Sequence, residues 1–330
     1  MRRAQGLWPA VHSFEGLRRA AFRAARGKRQ SRATAAFLER LEPEVLRLSR
    51  ALAAHAWRPS RARSFVIHDP KRRTITAVPF RDRVVHHALL APLQPVFERR
   101  MIADSFACRP GRGTHAAVRR AQRHLRRFGW SLRLDVASFF GTLHADVVLD
   151  TLTRIIKDPD VLRLCGAILG PGSIGVPIGS LTSQWFANVV LDRVDHLVKE
   201  ELRIPGYVRY MDDFALFDDE PRRLRDAQTR IAAFLTAPLR LRLKDRATRL
   251  APASEGLPFL GFAIHRGTIR LRPATLRRFR WRLRWLDREL RVGRVDAERH
   301  RRAVAAVFAH IAHADTLALR RSWLREGSES

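Results

Sequence analysis

The sequence predicts an α+β fold with an antiparallel sheet and a helical C-terminal block, and three observations predict it. Residues 131–136, 207–210 and 214–217 form short period-two runs typical of half-buried strands. The stretches between them carry apolar residues near helical spacing. Beyond Pro273, Leu276, Phe279, Leu283, Leu286 and Leu290 form one apolar helical stripe. Strands interspersed with helices and closed by a helical block indicate α+β or a mixed α/β arrangement.

Taken in order, residues 1–30 are rich in Arg and Ala and fit a frayed arm or a short helix. Residues 34–57 read as one helix, with Phe37, Leu41, Val45, Leu48 and Leu52 near helical spacing and Pro59 as its breaker. Residues 64–67 and 74–78 pair as strands across a basic connection. Residues 82–97 and 114–128 return to a helical pattern. After the strand ending at Asp135, residues 144–157 and 161–169 read as helices. A loop rich in Gly and Pro follows at 170–177, then a long helix from about 181 to 202. Residues 220–234 are helical, 239–243 alternate as a strand, and 259–264 form another. Pro273 suits a helix start, and a final helix is expected over 296–324. The chain shows no internal repeat.

The 330 residues suffice for one large domain or two to three smaller ones. Lys and Arg total 63 against 32 Asp and Glu, a formal net charge of +31. Such an excess favours a polyanionic partner, nucleic acid before an acidic membrane surface. All but Lys28, Lys71, Lys157, Lys199 and Lys244 of these cations are arginine, which grips phosphates bidentately and stacks on bases. GC-rich coding accounts for much of the choice of arginine over lysine, but not for the excess of positive charge. No apolar run is long enough to span a bilayer. The N-terminus lacks a signal-peptide pattern, and Cys108 and Cys165 are too few for a disulfide framework. A cytoplasmic protein with no membrane partner is expected.

The chemistry concentrates in acidic residues at strand ends. Tyr210-Met211-Asp212-Asp213 interrupts two apolar runs, as a β-hairpin with carboxylates at its turn would. Adjacent aspartates repel each other, and a divalent cation relieves that. Hard oxygens suit Mg²⁺, which takes one or two carboxylates plus substrate phosphates. Asp135 closes an alternating strand just before Phe139-Phe140-Gly141. Converging strand ends can hold two ions about 4 Å apart, the arrangement for in-line phosphoryl transfer. The bland alternative is a helix cap at Asp135 and a surface turn at Asp212-Asp213. Asp135 and Asp212 are the expected metal ligands, with Asp213 supporting and Val136 adding its backbone carbonyl.

In order along the chain stand Pro70-Lys71-Arg72-Arg73-Thr74-Ile75, Pro79-Phe80-Arg81-Asp82-Arg83-Val84-Val85-His86-His87-Ala88-Leu89, Asp104-Ser105-Phe106-Ala107-Cys108-Arg109 and Gly111-Arg112-Gly113-Thr114-His115. The Asp135 strand, Ile178-Gly179-Ser180-Leu181-Thr182-Ser183-Gln184, the Asp212-Asp213 hairpin and Gly256-Leu257-Pro258-Phe259-Leu260-Gly261-Phe262 follow. This series resembles reverse transcriptases, most of all those of diversity-generating retroelements, within the lineage of group II intron enzymes. It is dense over residues 60–265 and weak in the flanks. The resemblance implies a right-hand polymerase: an N-terminal helical arm with fingers over 1–130, partly interleaved with the palm, an antiparallel palm over 131–265, and a basic helical thumb over 266–330. The implied reaction is attack of a primer 3′-hydroxyl on the α-phosphate of a deoxynucleotide. The implied cofactor is two Mg²⁺ ions, with Mn²⁺ as a substitute.

The resemblance also implies roles for single residues. Phe140 would be the steric gate that excludes a 2′-hydroxyl, unless it is core like Phe139; strand alternation would turn only one of the two toward the site. Lys71 and Arg73 would close over the triphosphate, with Arg72 beside them, or form a solvated charge run. Lys244 or Arg246 would sit near the leaving pyrophosphate. Arg109, Arg112, Thr114 and His115 would track template phosphates, or serve only solubility. Ser183, Gln184, Tyr210 and Met211 would lie along template and primer, and Arg277, Arg280 and Arg284 along the duplex. In the block from Ile178 and Gly179 to Gln184, most reverse transcriptases carry Gln first and Pro last. The apolar Ile178 would weaken checking of the nascent pair and raise misincorporation opposite adenine, or simply pack against the palm helix.

His86 and His87 fit structural roles better than metal ligation. The partners implied are template RNA, the RNA–cDNA duplex, deoxynucleotides and a basic oligomeric accessory variability protein. The remaining length is expected to hold no RNase H, integrase or endonuclease segment. Group II intron, retron and phage-defence enzymes are the near alternatives, and a catalytically idle RNA-binding scaffold is the distant one.

Overall fold

The computed structural model describes residues 2–68 and 72–328, with side chains as far as Trp323. The N-terminal region is packed and helical: α1 (Trp8–His12), α2 (Phe14–Ala25), α3 (Arg32–Glu39) and α4 (Leu41–Ala53). It is neither a frayed arm nor a single short helix. Ser13 caps α2 by accepting the Gly16 N–H at 3.1 Å. Leu17, Ala20, Ala21, Ala24 and Ala25 are buried on α2, and small side chains let it lie close to the next long helix. The single helix expected over 34–57 breaks at Arg40 (φ −110°, ψ 34°).

Strands β1 (Arg63–Ile67) and β2 (Arg73–Ala77) form the expected antiparallel hairpin. Helix α5 (Phe80–Glu98) follows and buries Val84, Val85, Leu89 and Leu93; α6 is Thr114–Arg127. Then come β3 (Trp130–Asp135), α7 (Phe139–Thr142), α8 (Ala145–Thr153), α9 (Pro159–Leu169) and α10 (Leu181–His196), which runs into a π-helical turn at Leu197–Glu201. Strands β4 (Gly206–Tyr210) and β5 (Asp213–Asp218), helix α11 (Pro221–Thr236) and β6 (Arg249–Pro252) complete the central unit.

The central sheet is antiparallel with order β4-β5-β3-β6. One face, through Leu132, Leu134, Phe214 and Leu216, joins the main core with α5, α8 and α10. The other, through Val208, Ala215 and Phe217, joins a second core with α6 and the small sheet of β7 (Leu257–Phe259), β8 (Phe262–Ile264) and β9 (Ile269–Leu271). Helices α12 (Pro273–Arg291), α13 (Ala297–Ile311) and α14 (Leu317–Ser328) close a third cluster around Phe279, Val307, Ile311 and Trp323.

Several sequence expectations are corrected. Residues 239–243 are not a strand: Arg240 takes a φ of +53°, outside extended geometry, and only Leu243 bridges, to Val136. The strand expected over 259–264 is a hairpin, because Leu260 (φ +50°) and Gly261 (φ +87°) turn the chain between β7 and β8. The final helix is two helices, and Thr316 Oγ1 donates to the Ile311 carbonyl at the break. Strands β6 and β9 escaped the sequence reading because each is short and lacks a long alternating run.

Candidate active site

Residues distant in sequence meet where β3 and β5 end together. Asp135 lies opposite Asp213 in the register, and Tyr210 pairs with Asp213 from the other side. The hairpin turn is Met211-Asp212, with Met211 at a φ of +53°. The Val136 N–H donates to the Asp212 carbonyl at 3.2 Å, tying the turn to the strand that bears Asp135. Lys244 donates its backbone N–H to the Asp135 carbonyl at 2.8 Å, bringing the segment after α11 to the same point.

The electrostatics follow from this convergence. Burial holds the Asp212 carboxyl above its usual range, the Asp135 charge adds to that, and Arg73 and Lys244 oppose it. Asp213 is pushed up to about 6, first by burial, although Arg133 pulls the other way. Arg133 donates to both Asp213 oxygens, at 2.9 and 3.0 Å, and lies 3.9 Å from Asp135 Oδ2. Asp213, expected among the metal ligands, thus has both oxygens on a guanidinium. Arg133 escaped the sequence reading, though it stands two positions before Asp135 and so on the same strand face.

The donor set fits a hard divalent cation. Asp135 and Asp212 supply carboxylates, and Mg²⁺ commonly completes its shell with substrate phosphates and water. Among the described residues, no group of three or more His, Cys, Asp or Glu side chains is arranged to hold a metal.

Beneath the hairpin lies a buried ion pair that the sequence reading missed. Arg209 is fully buried; its Nε and Nη2 reach Asp195 at 2.6 and 2.5 Å, and its Nη1 reaches Asn188 Oδ1 at 2.7 Å and the Met211 carbonyl at 3.3 Å. Tyr207 donates to Asp195 at 2.7 Å. Burial pushes the Asp195 carboxyl up, and the guanidinium opposes this. The network fastens β4 and the Met211 turn to α10.

A family model described as reverse transcriptase (RNA-dependent DNA polymerase) matches residues 67–264. The chain belongs to that family. Protein YkfC of Escherichia coli (strain K12) is 25% identical over 276 residues, 69% of this chain and 72% of that protein. Nuclear intron maturase 1, mitochondrial, of Arabidopsis thaliana is 38% identical over 85 residues, 26% of this chain and 12% of the maturase. A telomerase from Candida tropicalis in complex with a fragment of telomeric RNA has a TM-score of 0.50 at 12% identity, over 82% of this chain and 55% of that one. That likeness bears on the fold alone, a right-hand polymerase architecture. This chain spans about half of the telomerase and a small part of the maturase.

Arg73 opens β2 of the reverse transcriptase and is exposed, and its charge reaches Asp212. Lys71 lies outside the described residues. Phe139 is buried and Phe140 half-buried, with ring centroids 5.3 Å apart. They sit on the helical turn α7 after Ser138 (φ 47°), so helical geometry and not strand alternation separates their directions. The Ile178 carbonyl accepts the Thr76 N–H at 2.9 Å, tying the loop before α10 to β2. Gly179 (φ +107°) permits this approach: a Cβ there would sit 3.2 Å from both Ile75 Cγ2 and the Thr76 carbonyl oxygen.

The residues expected along the template divide. Arg109 is 9% exposed and bonds Glu98 and the Ile102 and Ser105 carbonyls, so it holds a turn together and does not face a strand. Arg112 donates to the Ala103 carbonyl and lies over the Phe106 ring at 5.6 Å. Thr114 is half-buried at the start of α6, and His115 stacks on His313 at 3.5 Å, against the C-terminal helices. Ser183 is buried, and Gln184 is half-buried with its Oε1 3.6 Å from Cys108 Sγ. Tyr210 packs partly into the second core. Arg277, Arg280 and Arg284 are exposed on α12, with Arg280 over the Trp323 ring at 5.9 Å. Lys244 is half-buried beside the carboxylates, and Arg246 is exposed. No helix among the described residues is long and apolar enough to cross a membrane.

His86 supports the loop before α10 from below. Its Nδ1 lies 3.0 Å from Ser180 Oγ and 3.2 Å from Thr182 Oγ1, and burial pushes its pKa down to about 4. A base depressed in the folded state contributes stability above its unfolded pKa near 6.5. That contribution fades as pH falls from about 6.5 toward 4, at a total of roughly 3 kcal/mol. Urea midpoints measured across that window should therefore fall more steeply with acid for the unmodified chain than for His86→Asn. Equal slopes would rule His86 out as the acid-sensitive group.

Proposed function

We propose that this reverse transcriptase copies a template RNA into cDNA, and that it does so error-prone, with misincorporation at template adenines, for a diversity-generating retroelement. The convergence of Asp135 and Asp212 at adjoining strand ends carries the polymerase reading. Divalent ions bound there would stabilise the attacking and leaving oxygens of nucleotidyl transfer. The chain's own residues do the rest: Asp135 and Asp212 supply the ligand charge, Arg133 holds Asp213 aside, and Arg73 and Lys244 place cations toward the phosphates. Phe140 stands at the sugar of the incoming nucleotide. The net charge of +31 suits template RNA and the RNA–cDNA duplex, and α12 offers Arg277, Arg280 and Arg284 to it. An oligomeric accessory variability protein is the expected partner. Primer extension on an RNA template with Mg²⁺ tests the activity, and no incorporation with a folded enzyme would refute it.

The diversifying subclass is supported by the block from Ile178 to Gln184. The Ile178 carbonyl is taken by β2, and its side chain offers no hydrogen bond to a base pair. Ile178→Gln restores a polar reach there. Misincorporation opposite adenine should drop several-fold, about a 1 kcal/mol change in discrimination. Sequencing of cDNA from both enzymes measures it, and an unchanged spectrum refutes the reading. The local similarity to an intron maturase favours a second reading, an intron-type reverse transcriptase, which predicts accurate copying by the unmodified enzyme.

A further inference from the structure

Between α2, α5 and the loop before α10 lies a cavity of about 270 Å³. Arg23, Arg26, Lys28, Arg83 and His87 line it, and no carboxylate does. Arg23 and Arg83 are half-buried. Burial, with Arg19 and Arg26, pushes Arg23 down, and burial does the same to Arg83. His87 is held at about 4 by burial and by Arg23, Arg83 and Arg26. The Arg83 Nε is buried and, among the described residues, has no hydrogen-bond partner. Gathering like charges and partly desolvating them is costly unless an anion joins them. The C-terminal end of α2 favours Arg23 and Arg26 through its dipole, but it does not reach Arg83 on another helix.

We propose that this cavity is a phosphate-binding site that takes a phosphodiester group of single-stranded template RNA ahead of the catalytic carboxylates. The inference rests on the RNA-templated reading above. Two placements argue for a polymer. Arg73, at the start of β2, acts on Asp212, whereas Val78, just past the other end of β2, lines the cavity. Five residues of extended chain cover roughly 16 Å. The cavity thus lies at the opposite end of β2 from the residue whose charge acts on Asp212, a placement that suits a polymer running past the active site better than one nucleotide held there. Guanidinium forks suit phosphate oxygens in number and direction.

Fluorescence anisotropy of the full chain with primer–template duplexes tests the assignment, using blunt, short and long 5′ template overhangs. The unmodified enzyme should bind the long overhang about tenfold more tightly than the blunt duplex. Arg26→Glu/Lys28→Glu should bring that ratio near one and lower the salt slope by about 0.7 for each phosphate no longer neutralised. Arg222→Glu, an exposed charge reversal on α11, should keep the ratio. A thermal melt checks folding, and if the double variant does not fold, Lys28→Gln is read on the same ratio and slope. A double variant with an intact ratio overturns the proposal. So does an intact ratio with a raised deoxynucleotide KM, which assigns the anion to a free nucleotide. Binding is read without turnover, so absent primer extension would count against the polymerase reading, separately from this site.

Discussion

Asp212→Asn should leave a folded protein whose single-turnover primer extension in Mg²⁺ is slower by about 10³-fold or more. Charge stabilisation at a phosphoryl centre is worth several kcal/mol, and each 1.36 kcal/mol is a factor of ten in rate. Asp212 is held above its usual range by burial and by Asp135, so its ionised form strains the folded state. Removing that charge relieves repulsion, and the urea midpoint should stay level or rise while activity disappears. Asp135→Asn should act likewise. Asp213→Asn should cost less in rate, because Arg133 already takes both Asp213 oxygens. Its stability cost should track that broken pair. A near-normal rate for Asp212→Asn would remove the centre from the mechanism, and equal losses for Asp212 and Asp213 would reject the separation of their roles.

Asp195→Ala should destabilise the protein by about 3–5 kcal/mol, the cost of stranding a buried cation. Arg209 has no solvent to fall back on: its side chain and that of Asp195 are both 0% exposed. Tyr207 would lose its acceptor at the same time, and Arg209 would keep only Asn188 and the Met211 carbonyl. Because Arg209 also reaches the Met211 carbonyl, the turn carrying Asp212 should loosen, with extension slowing at temperatures where the variant is still folded. Replacing both members together, Arg209→Met with Asp195→Leu, removes the stranded charge and should recover much of the stability. Recovery of stability without recovery of rate would separate support of the fold from positioning of the hairpin. Urea melts and extension rates on the two variants decide it, and an Asp195→Ala cost under about 1 kcal/mol would contradict the account.

Much of this molecule was legible from local pattern. The β1–β2 hairpin, α5, α6, α11 and the start of α12 at Pro273 follow from periodicity and breaker residues, because their apolar faces repeat over several turns or along a strand. Elements ended by unusual backbone were not. Arg40, Arg240, Leu260 and the break after Ile311 are ordinary residue types whose conformations are imposed by packing. Basic residues were the least legible. Arg109, Arg112 and Arg209 look alike as letters, and yet they are a turn clamp, a ring-stacked surface residue and a fully buried anchor.

By itself the sequence determined that strand ends would carry aspartates, that helices would separate them, and that a large positive charge would seek a polyanion. These are properties of residue type and spacing, and they survive any detail of packing. Only the tertiary structure decided that Asp213 belongs to Arg133, that Arg209 anchors the turn, and that cations from α2 and α5 share one cavity. Each of those facts depends on which side chains are brought within a few ångströms across the fold. The energies of charges and hydrogen bonds change most steeply over that same distance.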